Sequence, residues 1–255
     1  MDDIHLAIDE RAGGRVATVT VDYEQRLNIL DHGRSERLRD VFLGLASDEL
    51  LRVAILTGAG DRAFIGGADV NELVALNPES AATFIRTLHE ACQAIRDLPV
   101  PVIASIRGYC LGAGLEVAAA CDLRVASDDA SFGMPEVAVG IPSVIEAALL
   151  PPLVGWGRTR ELVFLGARWD ALEARAAGLL QRVTTPADLD AAVGEWTAAI
   201  IANAPRAIRT QKALLREWES RPLSEAIEAG IRTFAESYRH DEPREYMQRF
   251  LDRRR

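Results

Sequence analysis

The chain has 255 residues, 49% apolar and 26% charged, proportions that suit a globular enzyme with a sizeable core and exclude a disordered or fibrous protein. Its 29 basic and 38 acidic side chains leave a net charge of −9, which argues against a nucleic acid as principal partner while leaving room for a local phosphate contact.

In chain order, residues 4–9 and 15–21 read as strands, 33–47 as a helix and the aliphatic run 53–57 as a third strand, an α/β alternation. A helix over 78–97 stops at Leu98-Pro99-Val100-Pro101, because proline removes a backbone donor and bars its predecessor from the α region. A buried strand, 102–106, follows. Gly108-Tyr-Cys-Leu-Gly-Ala-Gly then opens an Ala/Leu-rich helix through Cys121, and 122–127 reads as the next strand. From Ser143 onward the pattern is almost wholly helical, with capping boxes expected at Ser143 with Glu146 and at Asp170 with Glu173. Amphipathic stretches 224–238 and 243–252 close the chain and are suited to covering the body or a neighbouring subunit. The only domain boundary expected is a soft one near residues 195–205.

The N-terminal residues carry neither a basic nor an apolar leader, and no window approaches the run of about eighteen apolar residues needed to cross a bilayer. Cys92, Cys110 and Cys121 form no CxxC pair and lie in apolar stretches, the setting of buried reduced thiols. A cytoplasmic protein with no membrane partner is expected.

Several familiar sites are absent: there is no GxSxG elbow, no HExxH and no phosphate loop ending in Gly-Lys-Ser/Thr. His5, His32, His89 and His240 lack the i, i+4 spacing of paired metal ligands, so each is expected at the surface or at a helix cap, with no metal site. Two acids stand out. Glu116 in Leu111-Gly-Ala-Gly-Leu-Glu116-Val and Glu136 in Phe132-Gly-Met-Pro-Glu136-Val have apolar neighbours, where an ionised carboxylate is costly and suggests acid/base work. Two glycine-rich turns, Ala63-Phe-Ile-Gly-Gly-Ala68-Asp69-Val70 and Gly108 to Glu116, each lead into a helix. Backbone N–H groups at such turns can bind a developing anion, although a lone Gly-Gly pair is also compatible with a plain tight turn.

Together these residues resemble the crotonase (enoyl-CoA hydratase/isomerase) superfamily over nearly the whole chain. The elements are Arg26-Leu-Asn-Ile-Leu30, Thr57-Gly with the Ala63 to Asp69 turn, Gly108 to Glu116 with Cys121-Asp122, Phe132-Gly-Met-Pro-Glu136, and Ala176-Ala-Gly-Leu179. The resemblance implies an α/β fold: a crotonase-type spiral of ββα units over residues 1–197, with a C-terminal helical layer, 198–255, that serves oligomerisation, as a trimer or a pair of trimers. It implies that the N–H groups of Ala68 and Ala113 form an oxyanion hole for a thioester oxygen. Glu116 would activate a water and Glu136 would protonate the α-carbon, with role exchange possible through a shared proton. The substrate surface would comprise Arg26, Leu27, Ile29, Gly66, Gly67, Ala68, Asp69, Val70 and Gly112, with Lys212 and Arg253 as further CoA-phosphate candidates. No cofactor is implied, CoA being part of the acyl-CoA substrate.

Retention of both glutamates favours hydration of a trans-2-enoyl-CoA. An enoyl-CoA isomerase, a thioester hydrolase or decarboxylase, and a non-catalytic, RNA-associated relative are the alternatives. One departure stands beside Glu136: Pro142-Ser-Val-Ile-Glu146-Ala replaces the glycine-rich turn common in the family with bulk next to the acyl pocket. Glu146 is either a third carboxylate of the site or, as its spacing from Ser143 favours, part of a helix cap.

Overall fold

The structure is a computed structural model that describes residues 3–252; Arg253 lies outside them. The chain starts with a hairpin of β1 (Ile4–Arg11) and β2 (Gly14–Val21) and continues into α1 (His32–Leu45). It then repeats one unit. The strand β3 (Leu51–Gly58), the short strand β4 (Ala63–Ile65), the single turn α2 (Val70–Leu73) and the long helix α3 (Pro78–Asp97) make the first copy. A second comprises β5 (Val102–Ile106), β6 (Tyr109–Leu111) and α4 (Ala113–Ala120), and a third begins with β7 (Leu123–Ser127) and β8 (Ser131–Gly133). Each unit gives its first strand to a six-stranded sheet, ordered β1-β2-β3-β5-β7-β10, and its second to a four-stranded sheet, ordered β4-β6-β8-β9. This is the expected spiral of ββα units. Between successive units the corresponding strands pair in parallel, so short strands of the second sheet end side by side and discharge their turns at one edge.

After β8 come α5 (Leu150–Leu165), β9 (Arg168–Asp170), α6 (Ala171–Ala176), β10 (Arg182–Thr184) and α7 (Leu189–Ala202). The strands β9 and β10 correct the expectation of an almost wholly helical C-terminal half. Each has three residues, too few for a period-two pattern to show, and each is held by pairing with β8 or β7. The Asp170 and Glu173 capping box forms as expected.

Local signals account for α3, the helix that carries His89. Pro78 occupies the first turn of α3, and the Asn77 side chain accepts from Glu79 N–H and Ser80 N–H while Ser80 Oγ accepts from Asn77 N–H. The large sheet is apolar on both faces. Ala54 and Leu56 of β3 belong to the main core under α1, α3 and α4, whereas Val53 packs with Val16, Ile103 and Val125 beneath Leu189 and Val193 of α7. Residue 197 falls inside α7. Three helices follow: α8 (Pro205–Ser220), α9 (Leu223–Ser237) and α10 (Glu242–Asp252), the last two with exposed apolar side chains such as Ile231, Phe234 and Phe250. Among the described residues no helix is long and apolar enough to cross a membrane.

Candidate active site

The two glycine turns lie against each other. A Cβ added to Gly114 would stand 2.0 Å from Ile65 O, and one added to Gly67 would stand 3.4 Å from Leu111 O, so the absence of side chains lets α4 start directly over the end of β4. The loop after β2 is fastened to the same place: Gly66 N–H donates to Leu27 O (2.8 Å), Leu30 N–H to Gly67 O (2.9 Å) and Asp69 N–H to Leu30 O (2.8 Å). Leu27 and Asn28 adopt left-handed backbone, at φ 59 and 56. Buried Asn28 holds that shape by donating to Ala59 O and Ala63 O and accepting from Tyr23 N–H. Because Leu30 occupies the Gly67 carbonyl and the Asp69 amide in a parallel bridge, the Ala68 N–H faces the opposite side. Ala113 is the first residue of α4, so its N–H has no intrahelical acceptor.

Glu116 sits in the first turn of α4, 4% exposed, with its Oε1 accepting from Ala147 N–H at 3.2 Å. Burial first, and then the neighbouring Glu136 charge, push its carboxyl up to about 8; Glu146 adds to the rise and the Ala147 hydrogen bond opposes it. Glu136 is half-buried on a 3-10 turn, Pro135–Val139, and its Oε2 accepts from Ser143 Oγ at 2.9 Å. A Cβ on Gly112, itself at φ 52, would stand 2.4 Å from Glu136 Oε1, so Glu136 reaches over the same turn from which the Ala113 N–H emerges.

The residues expected to hold the substrate gather around this point. Leu27 and Ile29 flank Gly66, where a Cβ would meet Leu27 Cβ at 2.9 Å and Ile29 Cγ2 at 3.7 Å. Asp69 caps α2 by accepting from Asn71 N–H, and Val70 beside it is exposed. Arg26 is exposed and, among the described residues, has no ion-pair partner. Lys212 is corrected: it is buried, with Nζ donating to Val100 O (2.9 Å) and Asp122 Oδ2 (2.7 Å), so it ties α8 to the core instead of facing a phosphate. A long amphipathic cation on a polar helix face reads as solvated until the partner Asp122 is seen.

The cap expected at Ser143 with Glu146 does not form. The 3-10 turn Ile145–Leu149 starts after Val144 without a side-chain cap, the Ser143 hydroxyl goes to Glu136, and Glu146 is buried with Oε1 2.8 Å from His89 Nδ1. His89 lies at the surface as expected, and from there it also partners a buried acid. The overlooked signal is the apolar surround of Glu146, Val144-Ile145 before it and Ala147-Ala148-Leu149-Leu150 after it, the same kind of setting that singled out Glu116. The segment also borders a cleft of about 790 Å³, lined by Ser143, Val144, Ile145, Pro151, Trp156 and Val163. The three cysteines are buried and free, with burial pushing the Cys121 thiol to about 12. Among the described residues no cluster of three His, Cys, Asp or Glu side chains could hold a metal ion.

Comparison with known proteins agrees with this architecture. The family model described as enoyl-CoA hydratase/isomerase matches residues 11–255. The chain is 31% identical to the short-chain-enoyl-CoA hydratase of Clostridium acetobutylicum, over 95% of this chain and 93% of that one. It is 34% identical to the carnitinyl-CoA dehydratase of Escherichia coli K12, over 94% and 92%. The crystal structure of an enoyl-CoA hydratase from Mycobacterium smegmatis superposes with a TM-score of 0.93 at 30% identity, covering 98% of this chain and 97% of that one. The spiral of ββα units, the paired glycine turns and these relatives together place the chain in the enoyl-CoA hydratase/isomerase family.

Proposed function

We propose that the protein hydrates the 2,3 double bond of a trans-2-enoyl-CoA, with Glu116 and Glu136 sharing the acid/base work. The observation that carries this is the convergence of the two carboxyls on the Gly112 turn, one buried and pushed up to about 8, partly by the charge of the other. A pair with one proton between them can act on a single water: the ionised member takes a proton as the water oxygen bonds to the β-carbon, and the protonated member gives its proton to the α-carbon. Both additions then come from one face. The raised carboxyl of Glu116 supports a resting proton there, the reverse of the donor role expected for Glu136, and the coupled pair accommodates either direction.

Negative charge moves to the thioester oxygen when the β-carbon is attacked. The free N–H groups of Ala68 and Ala113 suit that oxygen, and each such donor is worth about 3 kcal/mol of barrier in other enzymes. Leu27, Ile29, Gly66, Asp69 and Val70 form the surface along which the CoA arm would run, with Arg26 at its exposed end for a phosphate. The apolar cleft beyond Ser143 suits the acyl chain, and Val144 and Ile145 narrow it. Assembly through α9 and α10, a cytoplasmic location and the absence of a cofactor belong to the same reading. Its test is a panel of enoyl-CoA esters of varied length and branching, followed by loss of the conjugated thioester absorbance and a product heavier by one water. No hydroxyacyl product from any ester refutes it.

A further inference from the structure

Glu146 is unused by the reaction just described, yet it is 5% exposed and its Oε2 is buried without any hydrogen-bond partner. A carboxyl in that state is costly to keep unless the surrounding structure uses it. The backbone that delivers it is also unusual. Ile145 has φ 37, left-handed backbone that a β-branched side chain resists, and such strain gathers where a site over-determines the chain. The strained turn does two things on successive residues: it turns Glu146 inward onto His89 and aims the Ala147 N–H at Glu116 Oε1.

We propose that Glu146, seated by the left-handed turn at Ile145, anchored by His89 and adjacent in the chain to the Ala147 amide that bonds Glu116, is a positioning residue whose charge adds to burial and to Glu136 in favouring the proton on Glu116. The groups that act on Glu146 are His89 and Cys92 from α3 and Glu116 from α4. The third element against its turn, α5, brings neutral Thr159, whose hydroxyl donates to Gly155 O. Glu136 acts on Glu116 from the other side. Glu116 therefore faces a carboxyl on either hand, and each raises its proton affinity. Glu136 is solvent-accessible and is expected to move its proton during turnover, whereas Glu146 is buried, which raises its own carboxyl, and is held toward the charged form by His89. The His89 side chain is 46% exposed and connects this pair to solvent.

The inference rests on Glu116 being part of the proposed dyad, but its test reads Glu116 directly. Carboxyl carbons of glutamate are labelled with carbon-13, the Glu116 resonance is assigned by its absence in E116Q, and its titration midpoint is followed in wild type, E146Q and H89Q. E146Q, isosteric and neutral, is expected to lower the midpoint by about half a pH unit or more, roughly a threefold loss of proton affinity. H89Q retains a donor for Glu146 without a cationic state and is expected not to lower it. The basic limb of the kcat/KM profile on a short enoyl-CoA is expected to move with the midpoint, at nearly unchanged KM. An unchanged midpoint in E146Q, or an equal fall in H89Q, overturns the inference. A shifted midpoint in an enzyme that hydrates no enoyl-CoA leaves the inference standing and refutes the proposed reaction instead.

Discussion

Glu116→Gln is predicted to lower turnover by orders of magnitude and to stabilise the fold. The carboxyl is raised from 4.5 to about 8 in the folded protein, so the folded state binds this proton more tightly than the unfolded chain does. A group raised in this way contributes stability that is fully present below the unfolded pKa and is lost as pH rises through the folded one. Between those values the wild type must keep a proton that the unfolded chain releases, at about 1.4 kcal/mol per pH unit. Glutamine has the shape of the protonated acid, can still accept from Ala147 N–H, and carries no such penalty. Relative to wild type, E116Q therefore gains about 1 kcal/mol at pH 5, about 3 at pH 7 and about 4 at pH 8, where the wild-type group is half ionised. Urea unfolding of both proteins at the three pH values, at one fixed protein concentration, measures the difference. A gap that does not widen with pH, or a variant less stable at pH 8, refutes the placement of Glu116 as a buried, proton-holding acid.

On a short trans-2-enoyl-CoA, Glu136→Gln and Glu116→Gln are each expected to lower kcat by about 100- to 10,000-fold with KM little changed; near-wild-type turnover in either removes that residue from the dyad. Gly114→Ala places a Cβ 2.0 Å from Ile65 O, a backbone atom that can yield only by moving β4, and should cost about 1–3 kcal/mol in urea unfolding together with activity. Gly44→Ala, on the exposed face of α1 with open space around it, should stabilise by about 0.5–1 kcal/mol, and equal effects from the two would contradict the tight seat of α4. Lys212→Met leaves Asp122 with the Val102 N–H but without its cation and is expected to cost about 2–3 kcal/mol of stability without weakening CoA-ester binding; weakened binding at intact stability would restore Lys212 to the phosphate site.

The legible parts of this fold were those with local signals. The proline stop at Leu98-Pro99 and the apolar run of β5 give elements whose ends agree closely with the observed ones, because each depends on backbone restrictions written in adjacent residues, whereas the glycine turn before α4 holds an unexpected short strand, Tyr109–Leu111. Glu116 and Glu136 were legible as acids in apolar surroundings for the same reason. The strands β9 and β10 were not, since three residues carry no period and depend on partners elsewhere in the chain. The failures at the site share one cause. Ser143 and Glu146 have the spacing of a helix cap, a local pattern, but their partners, Glu136 and His89, come from other elements. Lys212 fails for the same reason, since its ammonium donates to the Val100 carbonyl and the Asp122 carboxylate, 112 and 90 positions away in the chain. Only the packed structure brings such pairs together.

The central claim is that one water is added across the double bond by two carboxyls acting from one face. Single-turnover reaction of a trans-2-enoyl-CoA in oxygen-18-labelled heavy water tests it most directly. The account predicts one labelled oxygen at the β-carbon and one deuterium at the α-carbon, added to the same face, with both lost together in E136Q. Deuterium at the α-carbon without oxygen at the β-carbon, or addition from opposite faces, contradicts it.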